Sequence, residues 1–578
     1  MRRYCWFLLA AACLIAASCG GDGSKKENAA AAEIGEGLTP IEFTLFIPDA
    51  SHKTPPDTAE VIQQVYKNTG VRFRRITPPA EPLERLNIML ATDDLPDLIV
   101  FWDAVIQQKF INAGKLLPLD DLMREHAPQT YNVNYAGFRD RIRNDADGKM
   151  YFMPGGYLFG TEGSRAMPES STTYTMRTGL LEELNWYNPD TFEKITELLR
   201  ICKERYPAMS PLAMALGPQG HLDSLNQIGA GAYGLTCDKD SNIILDGNTV
   251  KYFSDVPQMK EWYAYLNSLR RAGYLDPESP VMSVDMLKEK VVAGKVYSWF
   301  GEGWEVGSAF IGYAESVGSD EQCLWYLFPR ANAAVQKTSY APYTEGLYAA
   351  GLTVTKANKD PARFMRFYEW INTEEGWLLS EGLVNWDFRG QNTVEETEGY
   401  DWVVMPDAPQ VRPGRTMVLF SEWGGHMWND NENWWWNRGI ESFGAFKYAM
   451  GNHPNGKYDL IGDNDVGMWW DDNTKRIYGA YGITGLNYFD YMAETGSDIT
   501  LIKDLVLEPD TDEAIAQVNM QEYLKTQLPK VIMAETPERF ESLWQEMANR
   551  LNQEGKEKFI VRKNALYRER LEDWNIAR

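Results

Sequence analysis

The sequence predicts an α/β protein built from more than one domain. From residue 41 onwards, stretches that alternate apolar and polar residues, as half-buried strands do, take turns with helical stretches. A second run of the same kind begins near Ser171. The chain has 578 residues, more than one hydrophobic core usually holds, so at least two domains are expected.

The first run predicts a parallel sheet covered by helices, because strands and helices alternate one by one. The predicted elements are strand 41–46, helix 58–69, strand 71–76, helix 83–91 and strand 97–101. Gly70 follows the first helix directly and is predicted to be its C-cap. Ligands of such sheets bind beyond the carboxyl ends of the strands, which here points to Phe101, Trp102 and Asp103.

The second run begins with a predicted strand, 174–177, and a short helix, 180–184. Residues Asn188 to Thr191 form a capping sequence for a helix over 192–205. Further helices are predicted at 256–272, 284–293, 361–381 and 537–553.

The start of the chain has the order of an export signal. Met1-Arg2-Arg3 is basic, an apolar run follows, and small residues precede Cys19. The segment resembles a bacterial lipobox, although Ala16 stands where leucine is usual. The prediction is a cleavable signal peptide, 1–18, a cysteine acylated with chains such as palmitate at Cys19, and a lipidated tether over 19–40. The alternative is an ordinary signal peptide cut near Ser18, which leaves Cys19 free.

Composition excludes several partners. The net charge is −25, and loss of the two arginines of the signal makes it −27, which argues against nucleic acid and against an anionic membrane surface. Only Cys202, Cys237 and Cys323 would remain, too few for a disulfide framework and without zinc-site spacing. The 20 Trp and 30 Tyr suit the stacking of sugar rings, but they also suit the filling of cores.

Several segments, in order, resemble the extracellular solute-binding lipoproteins (family 1 type, oligosaccharide-binding branch) of carbohydrate ABC importers. The segments are NIMLATDDLPDLI (87–99), GKLLPLDDL (114–122), DGKMYFMP (147–154), MRTGLLEEL (176–184), LRRAGYLD (269–276), KVVAGKV (290–296), LPKVIM (528–533) and ERF (538–540). Their order and spacing carry the resemblance, which covers most of the chain from about residue 41.

The resemblance implies a two-lobed, hinge-linked fold of the type II periplasmic-binding-protein kind with an extended C-terminal helical region. Mapped by motif, lobe 1 holds 41–155 and 350–385, and lobe 2 holds 170–340 and 390–578 with a Trp-rich insertion at 401–472. Many relatives carry a calcium loop after the helix that ends here near Arg205, but residues 206–211 offer no carboxylates, so no metal is predicted there. The acidic segments 463–467 and 471–473 lack the later glutamate of an EF-hand loop and are predicted to be solvated.

Ligand-binding residues are predicted at four places. Trp102 and Asp103 follow a strand end, and Trp299, Glu302 and Trp304 form an aromatic, glycine-containing segment after a family-like motif. The other candidates, near the two predicted crossings between lobes, are Glu345, Trp386 and Arg389. For each tryptophan the alternative is a packing role in a core.

The predicted function is capture of an oligosaccharide and its delivery to the permease subunits of an ABC transporter, by a monomer without cofactor or catalysis. The predicted location is the extracytoplasmic face of the cell membrane, reached through the lipid anchor alone. One alternative is a secreted glycoside hydrolase or polysaccharide lyase, for which Glu302 and Glu345 would be the candidate carboxylates. A third is a helical-repeat glycan-capture lipoprotein.

Overall fold

The structure is a computed structural model. It describes residues 37–48, 57, 59–76, 82–136, 139–144, 147–154, 167–168, 172–217, 220, 222–302, 306, 309–310, 313–314, 316–319, 321, 323–324, 329–344, 351–373, 376, 394–397, 400–403, 479–482, 496–499 and 501–574.

The described elements follow one another in three stretches of chain. The first holds β1 (Ile41–Phe46), α1 (Glu60–Thr69), β2 (Val71–Ile76), α2 (Pro82–Thr92), β3 (Leu98–Val100), α3 (Ala104–Asn112), α4 (Asp120–His126), β4 (Phe152–Pro154) and β5 (Met167–Pro168). The second holds β6 (Thr172–Arg177), α5 (Gly179–Glu183), α6 (Phe192–Arg205), β7 (Ser210–Ala213), α7 (Leu222–Ala232), β8 (Thr236–Asp238), β9 (Ile243–Asp246), β10 (Thr249–Tyr252), α8 (Pro257–Arg271), α9 (Val284–Val292), β11 (Val296–Glu302), β12 (Cys323–Leu324) and β13 (Ala341–Thr344). The third holds β14 (Gly351–Val354), α10 (Pro361–Ile371), β15 (Val394–Thr397), β16 (Tyr400–Val403), β17 (Gly496–Asp498), α11 (Asp512–Ile532), α12 (Pro537–Gln553) and α13 (Lys556–Asp573).

The first lobe is built on a five-stranded sheet in the order β2-β1-β3-β14-β4. The strands β2, β1 and β3 are parallel, as predicted, and β14 joins them antiparallel from late in the chain. Gly70 is the predicted C-cap of α1, with φ of 67° and its N–H donating to the Tyr66 carbonyl at 2.7 Å. One core, which includes Phe43, Leu98 and Phe364, lies between the sheet and its helices.

The second lobe is built on a four-stranded sheet in the order β12-β6-β11-β7. Thr191 caps α6 as predicted, its hydroxyl accepting from the Lys194 N–H at 3.4 Å. Three predicted helices are present within one or two residues of their predicted bounds as α8, α9 and α12. The helix predicted over 361–381 is shorter in the structure: it ends at Ile371, and Asn372 is its C-cap.

Two short strands connect the lobes. The chain leaves the first sheet after β4, passes through β5, and enters the second sheet at β6; it returns through β13 to β14. The strands β5, β13 and β17 pair with one another in a small sheet of their own, in the order β17-β13-β5. Strand crossovers between two α/β lobes were predicted, and the described connections have that form.

The C-terminal helices α11, α12 and α13 pack on the second lobe. Asn267 donates its side-chain amide to the carbonyls of Ile532 and Ala534 at 2.9 and 2.7 Å, and the Val250 N–H donates to Asn564 at 3.0 Å. Trp574, just after α13, packs against the core of the first lobe. None of the helices in the described part of the chain is both long enough and apolar enough to cross a membrane.

Candidate functional site

The cleft-facing edge of the first lobe follows from the pairing of its strands. The Phe101 N–H donates to the Gly351 carbonyl at 2.9 Å, and Gly351 pairs with Pro154 on its other side. The carboxyl ends of β3 and β4 therefore meet the start of β14, where the chain passes to and from the second lobe. Trp102 and Asp103 come directly after β3, so the predicted ligand residues lie at the edge that faces the second lobe.

Trp102 is 63% exposed at this edge. A tryptophan usually buries most of its ring, because the indole is large and mostly apolar. An indole left in solvent at the edge of a sheet, facing a cavity between lobes, is free to stack on a ligand ring. The exposure of Trp102 is compatible with the predicted stacking role, which stays a prediction.

Asp103 has a structural role in addition to its predicted one. Its Oδ1 atom accepts a hydrogen bond from the Ile106 N–H at 2.9 Å and so caps α3. A carboxylate has two oxygens with several acceptor positions, so capping leaves the group able to accept from sugar hydroxyls as well.

A cavity of about 860 Å³ lies between the two lobes. The first lobe contributes Trp102, Asp103 and the start of α3. The second lobe contributes the start of α7, the turn between β8 and β9, residues 504–507, 509 and 510, and one side of α11. This volume is at the upper end of the range of about 300 to 1,000 Å³ that is typical of small-molecule sites. A groove of about 880 Å³ beside Asp190 and Arg330 is lined by second-lobe residues alone.

The turn between β8 and β9 places polar groups in the cavity wall and ties them to α13. Lys563 is 2% exposed, and its ammonium donates to the Ser241 hydroxyl at 3.2 Å and to the Leu505 carbonyl at 2.6 Å. Burial lowers the pKa of Lys563 to about 8. Lys503 pairs with Asp240 of the same turn at 2.5 Å. These residues were missed by sequence reasoning, since nothing local distinguishes them from other charged surface residues.

The corresponding edge of the second lobe carries the second predicted group. Glu302 pairs with Thr172, the first residue of β6, so the end of β11 lies where the chain enters this lobe. Trp299 is fully buried in a cluster with Met282, Leu287 and Val306. Its burial favours the packing alternative for this residue. The side chain of Glu302 lies outside the described residues, as do Trp304, Glu345, Trp386, Arg389, Cys19 and most of the insertion predicted at 401–472.

The segment where relatives carry a calcium loop is a tight connection here. Tyr206 caps α6, its N–H donating to the Cys202 carbonyl, and β7 begins at Ser210. The described part of the chain contains no group of three or more His, Cys, Asp or Glu side chains that could hold a metal ion.

No family model matches the sequence, and no curated protein matches it either. Solved structures do match over nearly the whole chain. The substrate-binding protein FusA of a Streptococcus pneumoniae ABC transporter, in complex with kestose, matches with a TM-score of 0.63 at 16% identity, over 92% of this chain and 99% of that one. The chain has the fold of an ABC-transporter substrate-binding protein.

Two further structures support this fold. The alginate-binding protein AlgQ2 matches with a TM-score of 0.58 at 15% identity, over 93% of this chain and 99% of that one. An HMO-binding solute-binding protein associated with an ABC transporter of Bifidobacterium longum infantis matches with a TM-score of 0.60 at 10% identity, over 91% and 98%. All three are binding proteins, so the substrate-binding-protein fold lends no support to the hydrolase or lyase alternative. The helical-repeat alternative is wrong, because strands in two mixed sheets organise the lobes.

Proposed function

We propose that this chain binds an oligosaccharide outside the cytoplasm and delivers it to the permease of an ABC importer, without acting chemically on it. The observation that carries the proposal is the exposed indole of Trp102 in a cavity between two lobes. Sugar rings present apolar C–H faces that stack on aromatic rings, and hydroxyls that need hydrogen-bond partners. The named structures with this fold bind kestose, alginate and HMO, which supports a carbohydrate as the ligand class.

Hinge closure is the proposed means of signalling. The lobes are joined by β5 and β13, so a rotation there brings the edge at Trp102 towards the wall formed by α11. A ligand that contacts both lobes stabilises the closed form, and only that form would dock on both permease subunits. The protein is proposed to act as a monomer.

The proposed location is the extracytoplasmic face of the cell membrane, with the signal peptide 1–18 removed and acyl chains on Cys19. A single chain gives marginal membrane binding, whereas several chains hold a protein firmly. Expression of the full chain with Cys19→Ala should move the protein from the membrane fraction to the soluble fraction. Unchanged fractionation of that variant would contradict the anchor and leave the binding function untouched.

The binding function is tested with a thermal-shift panel of oligosaccharides. A ligand that binds only the folded state adds about 2.7 kcal/mol to the free energy of unfolding at a hundred times its dissociation constant, which raises the melting temperature. A shift with peptides or phosphorylated compounds, and with no sugar, would reject the carbohydrate assignment.

Trp102→Ala should then weaken binding of the sugar that gives the shift. Truncation of a central tryptophan commonly costs at least about 2 kcal/mol, a rise of about 30-fold in the dissociation constant. Trp102→Phe, which keeps a ring, should retain most of the affinity. Val133→Ala is a matched control, because Val133 is 47% exposed on the first lobe and does not line the cavity. Equal affinities for Trp102→Ala and Val133→Ala would show that the indole does not contact the ligand.

A further inference from the structure

Exposed apolar side chains line both sides of the cavity. Leu83 and Trp102 of the first lobe are 48% and 63% exposed, and Ile515 and Val518 of α11 are 51% and 57% exposed. A soluble protein gains nothing from leaving such groups in water, and clusters of them commonly mark binding surfaces. Sequence reasoning predicted the tryptophan but not the pair on α11.

The pair on α11 is not needed to hold that helix in place. Met520, Leu524 and Leu528 already bury the helix against the core of the second lobe. Ile515 and Val518 lie three residues apart and so project from neighbouring positions on a helix surface. The lining residues of α11 run from 514 to 528, which gives a wall of about 21 Å at 1.5 Å per residue.

Polar groups on the same wall suit hydroxyl groups. Asn519 is exposed beside Val518, and Gln517 and Gln521 also line the cavity. Gln521 donates to the Asp240 carbonyl at 2.8 Å, which fixes its amide near the turn between β8 and β9. Apolar groups interleaved with amides in a cavity suit a sugar, whose rings have apolar faces and whose hydroxyls need hydrogen-bond partners.

The charges of the described wall favour an uncharged ligand. The lining residues include six carboxylates and three ammonium groups, and no arginine within the described residues. One of the ammonium groups, that of Lys563, is buried and donates to Ser241 and Leu505. A ligand with several carboxylates would meet repulsion here with little bidentate compensation.

We propose that the cavity-facing surface of α11, centred on Ile515 and Val518, is a second contact surface for an uncharged oligosaccharide whose first contact is Trp102. This proposal rests on the proposed function and adds where the far end of the sugar binds. A short sugar would reach Trp102 alone, and a longer one would also cover the wall along α11. The helix therefore selects for ligand length.

The test compares Ile515→Ala/Val518→Ala with the control Val561→Ala, using isothermal titration with neutral oligosaccharides of increasing length and with a uronic-acid oligomer. Val561 is 65% exposed on α13 and does not line the cavity, so it matches the pair in chemistry. Alanine is a good helix former, and all three positions are exposed, so the melting temperatures of both variants should equal that of the wild type. The double variant should bind the longest neutral sugar about ten-fold more weakly and the shortest binding sugar equally well. The uronic-acid oligomer should bind the wild type more weakly than a neutral oligomer of the same length.

Each other outcome has a distinct meaning. Wild-type affinity of the double variant for every sugar, with loss on Trp102→Ala, would overturn the second surface and keep the proposed function. Failure of the wild type to bind any sugar would overturn both. If the double variant binds sugar normally but cells that carry it lose uptake, Ile515 and Val518 act in permease docking. If the double variant has a different oligomeric state from the wild type, the two residues act in self-association. Either result would overturn the proposal. Tighter binding of the uronic-acid oligomer would reject the uncharged ligand.

Discussion

Replacement of Asp97 by alanine should destabilise the first lobe strongly without touching the ligand site. Asp97 belongs to one of the segments that resemble solute-binding proteins, and it is 5% exposed. Its Oδ2 atom accepts from the Thr44 N–H and from the Thr44 hydroxyl, each at 2.7 Å, and its Oδ1 atom accepts from the Lys359 N–H at 3.0 Å. The carboxylate therefore connects β1, β3 and the loop before α10.

The magnitude follows from the groups that alanine would leave without a partner. Two backbone N–H groups and one hydroxyl would lose their acceptor, at about 1.5 kcal/mol for each N–H and about 1 kcal/mol for the hydroxyl, or about 4 kcal/mol together. The Lys359 ammonium at 3.6 Å adds little, because that side chain is half exposed. If the first lobe unfolds as a unit of roughly 150 to 250 residues, its melting temperature should fall by about 10 °C.

Differential scanning calorimetry of the full chain measures this change, and Asp94→Ala is the matched control. Asp94 lies in the same segment, its side chain is 82% exposed, and its nearest cation, Arg85, is 3.9 Å away. An exposed pair of this kind contributes at most about 1 kcal/mol, so the control should melt close to wild type. A melting temperature of Asp97→Ala equal to that of Asp94→Ala would refute the reasoning. Asp97→Ala should still bind the ligand at temperatures where it is folded.

Two further predictions concern buried charges. Glu321→Ala should lower the free energy of unfolding by about 3 to 5 kcal/mol, because it leaves Arg177, 8% exposed and bonded to that carboxylate at 2.6 and 3.1 Å, without its partner. Urea unfolding measures this loss against the control Glu204→Ala, which removes the exposed ion pair between Arg200 and Glu204. Equal losses of unfolding free energy in the two variants would contradict the prediction. The pKa of Lys563, lowered by burial to about 8, means that between pH 8 and about 10 the unfolded chain binds a proton that the folded chain does not. The free energy of unfolding of the wild type minus that of Lys563→Met should therefore rise by about 2 to 3 kcal/mol over that interval, as measured by urea unfolding at several pH values, and a constant difference would contradict it. The difference is needed because burial raises the pKa of the Cys202, Cys237 and Cys323 thiols, which lowers the stability of both chains as pH rises.

The motifs that predicted the fold are scaffold residues. Asp97 ties three segments together, Asp120 accepts from the Met150 N–H at 2.9 Å, and Asp276 is 3% exposed with the Lys290 ammonium at 2.8 Å. A buried carboxylate needs particular donors at particular positions, so its neighbours in the sequence form a readable pattern. The sequence therefore predicted the two-lobed α/β fold, the parallel pairing of the first strands and the caps at Gly70 and Thr191, because these depend on local and buried interactions.

The residues of the proposed ligand site were only partly predictable from the sequence. Trp102 was predicted because parallel sheets present ligands at the carboxyl ends of their strands, and its role stays a prediction. The pair Ile515 and Val518, proposed from the structure, was not predicted, because periodicity shows that a helix has an exposed face but not what that face meets. Trp299 shows the converse. Glycine and aromatic residues around it suggested exposure, but it is buried against side chains more than ten residues away in sequence, including Met282 and Leu287.

The placement of apolar groups on both lobes bears on how binding could be coupled to transport. A ligand shifts an equilibrium between open and closed forms only by the difference in its affinity for the two forms. A sugar that contacts Trp102 alone would bind both forms equally and would close nothing. A sugar long enough to contact Trp102 and the wall at Ile515 and Val518 gains the second contact only when the lobes approach. Length selection and closure would then have the same physical origin, so the double alanine variant should weaken closure by the same factor as it weakens binding of the longest sugar.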